Sequence, residues 1–301
     1  MNLTPYADLP STLLDELRDA DLDPERVYAG IVGALGEDLP AGAVDATSVA
    51  TIAADAHGRA DFNAREEGVV AGLGIAALVF HVVMGDTVTV EGRIADGTHV
   101  SAGARVMTVT GPTRGLLTAE RTALNFASHL SGVATATSHW VAALEGTRAR
   151  VLDTRKTLPN WRALQKYAVR CGGGVNHRFG LADLAMVKDN HVIAAGGVVP
   201  ALQAVRAAFP GLPVEVEVTD LDQLRELLDA GCEQILLDNM SPALMAEAVA
   251  ITDGRASLEA SGGLTLERAR QVAETGVDFI SVGALTHSVV VFDLGMDLSE
   301  T

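Results

Sequence analysis

Cysteine is scarce in this sequence. Cys171 and Cys232 are the only two in 301 residues, too few for a disulfide framework and without the Cys-x-x-Cys spacing of a metal or redox site. That usage suits a reducing compartment, and the cytoplasm is the expectation. No secretory leader is expected either, since "MNLTPYADLP" has no basic start ahead of an apolar core. Long apolar runs are absent too: the best one, Val69 to Gly85, contains His81 and is interrupted by glycines. It falls short of the roughly 20 residues of a membrane span, so it reads as a buried helix running into a strand. Positive charge is in short supply, with 22 Lys plus Arg against 39 Asp plus Glu and a formal net charge of −17. That balance argues against a general nucleic-acid binder, which needs a basic face for phosphate contacts. Neither nucleic acid nor a membrane is expected as a partner.

What is present is a core: 48% of the residues are hydrophobic, enough for one large or two ordinary domains. The few cations are unevenly spread. All three lysines, Lys156, Lys166 and Lys188, fall within 33 residues, and basic residues outnumber acidic ones between Arg121 and Lys188. A local positive region in an acidic protein would attract a small polyanion. The alternative is a plain basic helix face from Arg162 to Arg170.

Two rhythms divide the chain. From Leu9 to Leu39 the pattern is helical and acidic, with Ser11 expected as a cap. Between Val82 and Thr110, alternating residues punctuated by Asp-Gly and other glycines predict antiparallel strands with tight turns. A long helix follows from Leu116, with Thr118 as its expected cap, Glu120 in its first turn and a break near Gly132. Beyond it, strands at 150–154, 184–188, 214–218, 234–238, 257–261 and 279–283 alternate with helical segments. Such alternation requires a parallel sheet covered by helices. Six units are fewer than the eight of a complete barrel, so the fold class is α/β: an incomplete barrel or an open sheet behind an N-terminal α+β domain. The expected division is residues 1–115 for the N-terminal domain, joined by the tail 286–301, and 116–285 for the barrel.

In parallel α/β folds the ligand site lies at the carboxyl ends of the strands. The residues there are Arg155 and Lys156, Lys188, Glu217, Asp238, Ser261 with Gly262 and Gly263, and Gly283. Arg155, Lys156 and Lys188, with His177 and Arg178 in the loop before the second strand, form a cationic set suited to carboxylates. Glu217 and Asp238 form an acidic pair. Glu215 and Glu217 share one side of "VEVEV" by strand periodicity; inside a barrel they must be paired or bind a cation, and the alternative is a solvent-facing edge strand. "SGG" and "VGALT" place glycine before a helix, where backbone amides suit a phosphate, or they are only tight turns. Two cation sets, two carboxylates for Mg²⁺ or ribose hydroxyls, and a phosphate cradle fit 5-phosphoribosyl 1-diphosphate together with an acidic small molecule.

The stretches "ERTALNFASHLSGVAT", "DTRKTLPNWRALQKYAVRCGGGVNHRFGLADLAMVKDNH", "EVEV", "LLDN", "EASGG" and "VGALTHS" resemble the signatures of the quinolinate phosphoribosyltransferase family. The resemblance implies an N-terminal α/β sandwich, an incomplete barrel, and a dimer or higher oligomer with shared active sites. It implies transfer of phosphoribosyl to quinolinate with decarboxylation, giving nicotinate mononucleotide, diphosphate and CO₂ in de novo NAD synthesis with Mg²⁺. By the resemblance, Arg121 from a partner subunit, Arg155, His177, Arg178 and Lys188 hold quinolinate. Lys156, Glu217 and Asp238 are catalytic, the two acids also serving Mg²⁺. Phosphoribosyl diphosphate is met by these three with Thr154, Ser261, Gly262, Gly263, Gly283, Ala284, Leu285 and His287.

Three rivals stand beside this reading. A paralogue using another pyridine carboxylate, or an unrelated base, in the same transfer differs in whether CO₂ is released. A barrel aldolase with Lys156 or Lys188 as Schiff-base nucleophile would need a desolvated lysine, whereas these lie in a cluster of cations. A catalytically dead sensor would bind the same ligands without turnover.

Overall fold

The computed structural model describes residues 3–40 and 43–300. The chain forms two compact units: one of residues up to Ala136 with Ala163–Gly172 and the segment from Val289 onward, and one of Thr137–Arg162 with Gly173–Ser288.

The first unit contains β1 (His57–Ala64), β2 (Gly68–Val69), β3 (Thr89–Glu91), β4 (His99–Val100) and β5 (Arg105–Pro112). Together with the last strand of the chain, Leu294–Glu300, strands β1, β5 and β3 form a four-stranded sheet with β1 in its interior, antiparallel to both neighbours. Alternation along β1 buries Ala60, Phe62 and Ala64, as a half-buried antiparallel strand requires. The apolar run forms the helix Leu73–Met84, in which residues from Leu73 to Phe80 are all buried, so its lack of a polar face reflects burial within the domain. Phe80 meets Phe62 edge to face at 5.7 Å between ring centroids. Asp96 supplies the cap this helix lacks in its own sequence, accepting the amides of Gly72 at 2.7 Å and Leu73 at 3.1 Å.

Two helix starts differ from expectation. The first helix spans Ser11–Asp19, so Ser11 is its first residue and Pro10 its cap. The long helix runs unbroken over Thr113–Ala143, which puts Thr118 inside it, donating to the Arg114 carbonyl at 2.8 Å. Gly132 marks a close approach and no break: a Cβ there would lie 2.3 Å from the Val290 carbonyl oxygen.

The second unit contains β6 (Arg150–Leu152), β7 (Ala185–Val187), β8 (Val214–Val218), β9 (Gln234–Asp238), β10 (Ser257–Ser261) and β11 (Phe279–Ser281). All six strands are parallel, in the order β6-β11-β10-β9-β8-β7. This is the expected incomplete barrel. Helices cross between strands, and two are capped by residues their sequences offer: Asp220 accepts from the amides of Asp222 and Gln223, and Ser241 from that of Leu244. The segment Ala163–Gly172 groups with the first unit, where Tyr167 donates to Asp96 at 2.7 Å and Arg170 to Asp21 at 3.0 Å. Lys166 is fully buried, so the supposed basic helix face is not a uniform one. Among the described residues, no single helix is long and apolar enough to cross a membrane.

Candidate active site

Because the six strands are parallel, their carboxyl ends share one edge of the sheet, and the expected residues of the second unit sit there. Thr154, Arg155 and Lys156 follow β6, Lys188 follows β7, Glu217 lies in β8, Asp238 ends β9, Ser261 ends β10 and Gly283 follows β11. Strand β8 pairs with β7 and β9 on its two sides, so it is an interior strand and the solvent-facing edge alternative falls.

Contacts between neighbouring ends link these residues. Lys188 Nζ lies 3.2 Å from Glu217 Oε2. Asn239, in the left-handed region at φ 54°, donates its backbone amide to the Ser261 carbonyl at 3.0 Å and its side-chain amide to Asp238 at 2.8 Å. Gly262 and Gly263 also take positive φ, 98° and 54°, and a Cβ on Gly262 would stand 2.2 Å from Asn239 Oδ1. Only glycine fits that turn. On the other side, Thr286 donates to the Lys156 carbonyl at 2.7 Å, and a Cβ on Gly283 would fall 3.0 Å from Lys156 Cδ and 3.2 Å from the His287 ring. Lys156, Gly283 and His287 therefore converge. Ala284 and His287 are exposed while the Leu285 side chain is buried, which leaves Leu285 its backbone for any ligand contact.

The cationic loops rest on a carboxylate that sequence reasoning passed over. Asp153 is fully buried and accepts from Asn176 Nδ2 at 2.6 Å and from the His177 amide at 2.9 Å. Arg162 bridges the two loops, reaching the Phe179 carbonyl at 2.8 Å and Thr157 Oγ1 at 3.1 Å. Arg178 donates to the Leu184 carbonyl at 2.9 Å. Burial, and then repulsion from Arg155, lowers the pKa of Arg178. Arg155 Nε is buried without a hydrogen-bond partner, an omission that costs free energy unless an anion nearby offsets the charge. Two arginines held close to each other, one incompletely bonded, make a binding site for carboxylates.

Glu215 and Glu259 are both buried, on β8 and β10. His177 Nε2 lies 3.0 Å from Glu215 and 3.3 Å from Glu259, while Nδ1 accepts the Arg178 amide at 2.6 Å. With Nδ1 taken up as an acceptor, the ring proton lies on Nε2 between the two carboxylates, which outweigh burial and push the His177 pKa upward. Burial also raises that of Glu215. These three have ligand atoms within 4.8 Å of one another, close enough for a metal ion. Glu217 and Asp238 offer a different donor set: two carboxylates at adjacent strand ends, neither fully buried, the hard oxygen ligands and water access that Mg²⁺ favours.

The period of two in "SLEAS" already sets Glu259 apart from Leu258 and Ala260. Nothing in the sequence alone gives its partner.

Models of the quinolinate phosphoribosyltransferase family match the chain twice, the N-terminal domain over residues 45–131 and the C-terminal domain over 133–297. The chain belongs to the quinolinate phosphoribosyltransferase family. Among the relatives, a nicotinate-nucleotide pyrophosphorylase (carboxylating) of Mycobacterium leprae is 52% identical over 94% of this chain and 100% of that one. A mitochondrial quinolinate phosphoribosyltransferase (decarboxylating) of Nicotiana tabacum is 40% identical over 84% of this chain and 77% of that one. The solved structure of the nicotinate-nucleotide pyrophosphorylase of Francisella tularensis superposes with a TM-score of 0.87 at 38% identity, over 91% of this chain and 96% of that one. The family assignment spans both units.

Proposed function

We infer that this chain is a quinolinate phosphoribosyltransferase, joining quinolinate to the phosphoribosyl group of 5-phosphoribosyl 1-diphosphate in NAD biosynthesis. The products are nicotinate mononucleotide, diphosphate and CO₂. The observation that carries the reading for this chain is the gathering of Arg155, Lys156, Arg178 and Lys188 with Glu217, Asp238 and two glycine turns along one edge of a parallel sheet.

The division of labour follows from charge. Arg155, Arg178 and Lys188, with Arg121 supplied by a second copy of the chain, hold the two carboxylates of quinolinate, and His177 adjoins Arg178 on the same turn. Thr154 and Lys156 meet the phosphates of the second substrate. The turns Ser261–Gly263 and Gly283–Leu285, beside His287, take the 5-phosphate through backbone amides. Glu217 and Asp238 face the ribose hydroxyls and would hold Mg²⁺, which when bound neutralises charge on the departing diphosphate.

As the bond from ribose C1 to diphosphate breaks, positive charge grows on C1 and the ring nitrogen of quinolinate donates its electron pair there. Glu217 and Asp238 stabilise that charge, Lys156 the charge leaving with diphosphate, and positioning supplies much of the remainder. The pyridinium so formed withdraws the electron pair of the bond to the adjacent carboxylate, which leaves as CO₂; the ring carbon then takes up a proton. No covalent bond to the protein is required. The cytoplasm and a homodimer or larger oligomer with shared sites complete the proposal.

Incubation of the protein with quinolinate, 5-phosphoribosyl 1-diphosphate and Mg²⁺ is expected to yield nicotinate mononucleotide and CO₂ in equal amounts. Binding of both substrates without turnover would mark a sensor, and product without CO₂ a paralogue acting on another base.

A further inference from the structure

Two glutamates inside the barrel have no place in the chemistry above. Burying one carboxylate is costly and burying two beside each other more so, since each opposes the other's ionisation. Yet Glu215 on β8 and Glu259 on β10 are 3% and 4% exposed and meet at one atom, Nε2 of His177. What they hold is a single turn. The His177 backbone amide donates to Asp153 at the end of β6, its ring is gripped from β8 and β10, and its Nδ1 accepts the amide of Arg178. Attachments to three strands and to the next peptide leave the ring and main chain little freedom. Arg178 begins where that constraint ends.

We infer that Glu215 and Glu259 are positioning residues for quinolinate: by gripping His177 from two strands they fix the His177–Arg178 peptide and so aim the Arg178 guanidinium, beside Arg155, at the carboxylates of the substrate. The inference rests on the reading of Arg155 and Arg178 as quinolinate ligands. His177 then serves the substrate through Arg178, because both of its ring nitrogens are engaged by protein groups. Metal binding by the same three side chains is the competing use of the cluster.

Two substitutions at one position separate positioning from mere packing. Glu259→Leu removes one grip while Glu215 still pairs with His177, and it relieves the repulsion between two neighbouring buried carboxylates. Its melting temperature is therefore expected to match or exceed that of the parent while the KM for quinolinate rises about tenfold, the scale of a modest misplacement of a binding group. The KM for phosphoribosyl diphosphate should stay within about twofold, since the His177–Arg178 turn aims only the quinolinate ligands. Glu259→Gln, whose amide oxygen can still accept from Nε2, should restore most of the loss. In a His177→Asn background, Glu259→Leu should add less than about twofold, because a residue acting through another has nothing left to act on.

An unchanged quinolinate KM in folded Glu259→Leu, equal rises in both KM values, or full additivity with His177→Asn overturns the inference. So does a metal ion retained stoichiometrically by the parent and lost from Glu259→Leu. If Glu259→Leu does not fold, Glu215→Leu is read by the same criteria. A parent protein that neither binds nor turns over quinolinate defeats the functional reading instead, a result distinct from all of these.

Discussion

Arg155 has a buried Nε with no partner, and Arg178 lies close enough for its charge to be felt. Like charges brought together repel, and a dianion between them would offset that cost. Quinolinate carries two carboxylates, so one arginine for each is the simplest pairing. Removing one partner of a desolvated ion pair costs several kcal/mol, and 1.4 kcal/mol is a factor of ten. Arg155→Ala and Arg178→Ala are each expected to raise the quinolinate KM about 100-fold, with a smaller effect on the KM for phosphoribosyl diphosphate. Steady-state kinetics with each substrate varied in turn would show this, and wild-type constants in both variants would remove these residues from the site. Lysine at either position should rescue poorly, since a point charge cannot reproduce a bidentate fork.

At the scale of elements, the helix Thr113–Ala143 poses a choice between propensity and packing. Alanine is better than glycine inside a helix by about 1 kcal/mol, but at Gly132 its methyl would stand 2.3 Å from a backbone oxygen of the segment that leads into the final strand. A backbone atom cannot swing aside as a side-chain end can, and overpacking costs about 1–3 kcal/mol. Gly132→Ala is therefore expected to destabilise the fold, seen as a lower urea midpoint. The antiparallel sheet offers a test of sign. Asp61 on β1 stands opposite Thr108 on β5; the hydrogen bond from Thr108 at 2.6 Å, followed by Arg105 and Arg59, holds its carboxyl below 3.8. A depressed folded pKa means stability present above the unfolded value and lost as pH falls through the folded one. The stability difference between the parent and Asp61→Asn should shrink steadily as pH falls through and below the ordinary carboxylate range, and a difference that grows toward acid would contradict the assignment. The same elements explain what the sequence made legible. Strands β8, β9 and β10 match their expected limits because each is a compact run of inward and helix-facing residues bounded by turn signals. Strands β6, β7 and β11 are shorter than expected at their carboxyl ends, where Asp153, Lys188 and Gly283 leave the ladder for the site. The charged residues at the strand ends were legible because charge stands there where a strand pattern calls for none. Asp153, Arg162, Asn239 and Glu259 were not, since each matters through a partner from another loop or strand that no local pattern announces.

The molecule as a whole carries −17 formal charges and is asked to attract two polyanions. Long-range fields between exposed groups are screened beyond about 10 Å at 0.1 M salt, so capture depends on cations placed within contact distance. Arg155, Lys156, Arg178 and Lys188 are supplied by the second unit, whereas Arg121 lies exposed on the long helix of the first. If a second copy of the chain contributes Arg121, each site combines residues from two chains, and closed two-fold symmetry makes the exchange reciprocal. Two inactive chains can then repair each other. In a dimer of Arg121→Ala with Asp238→Asn, the site built on the Arg121→Ala chain keeps its own Asp238 and receives Arg121 from its partner, while the other site lacks both. Random pairing makes half the dimers mixed, each with one working site, so co-expressed chains are expected to recover about a quarter of the parental activity. Each variant alone should stay near background. No recovery in a preparation shown by mass spectrometry to contain the mixed dimer, or full activity of Arg121→Ala alone, would place Arg121 outside the shared site and leave each chain to bind quinolinate with its own cations.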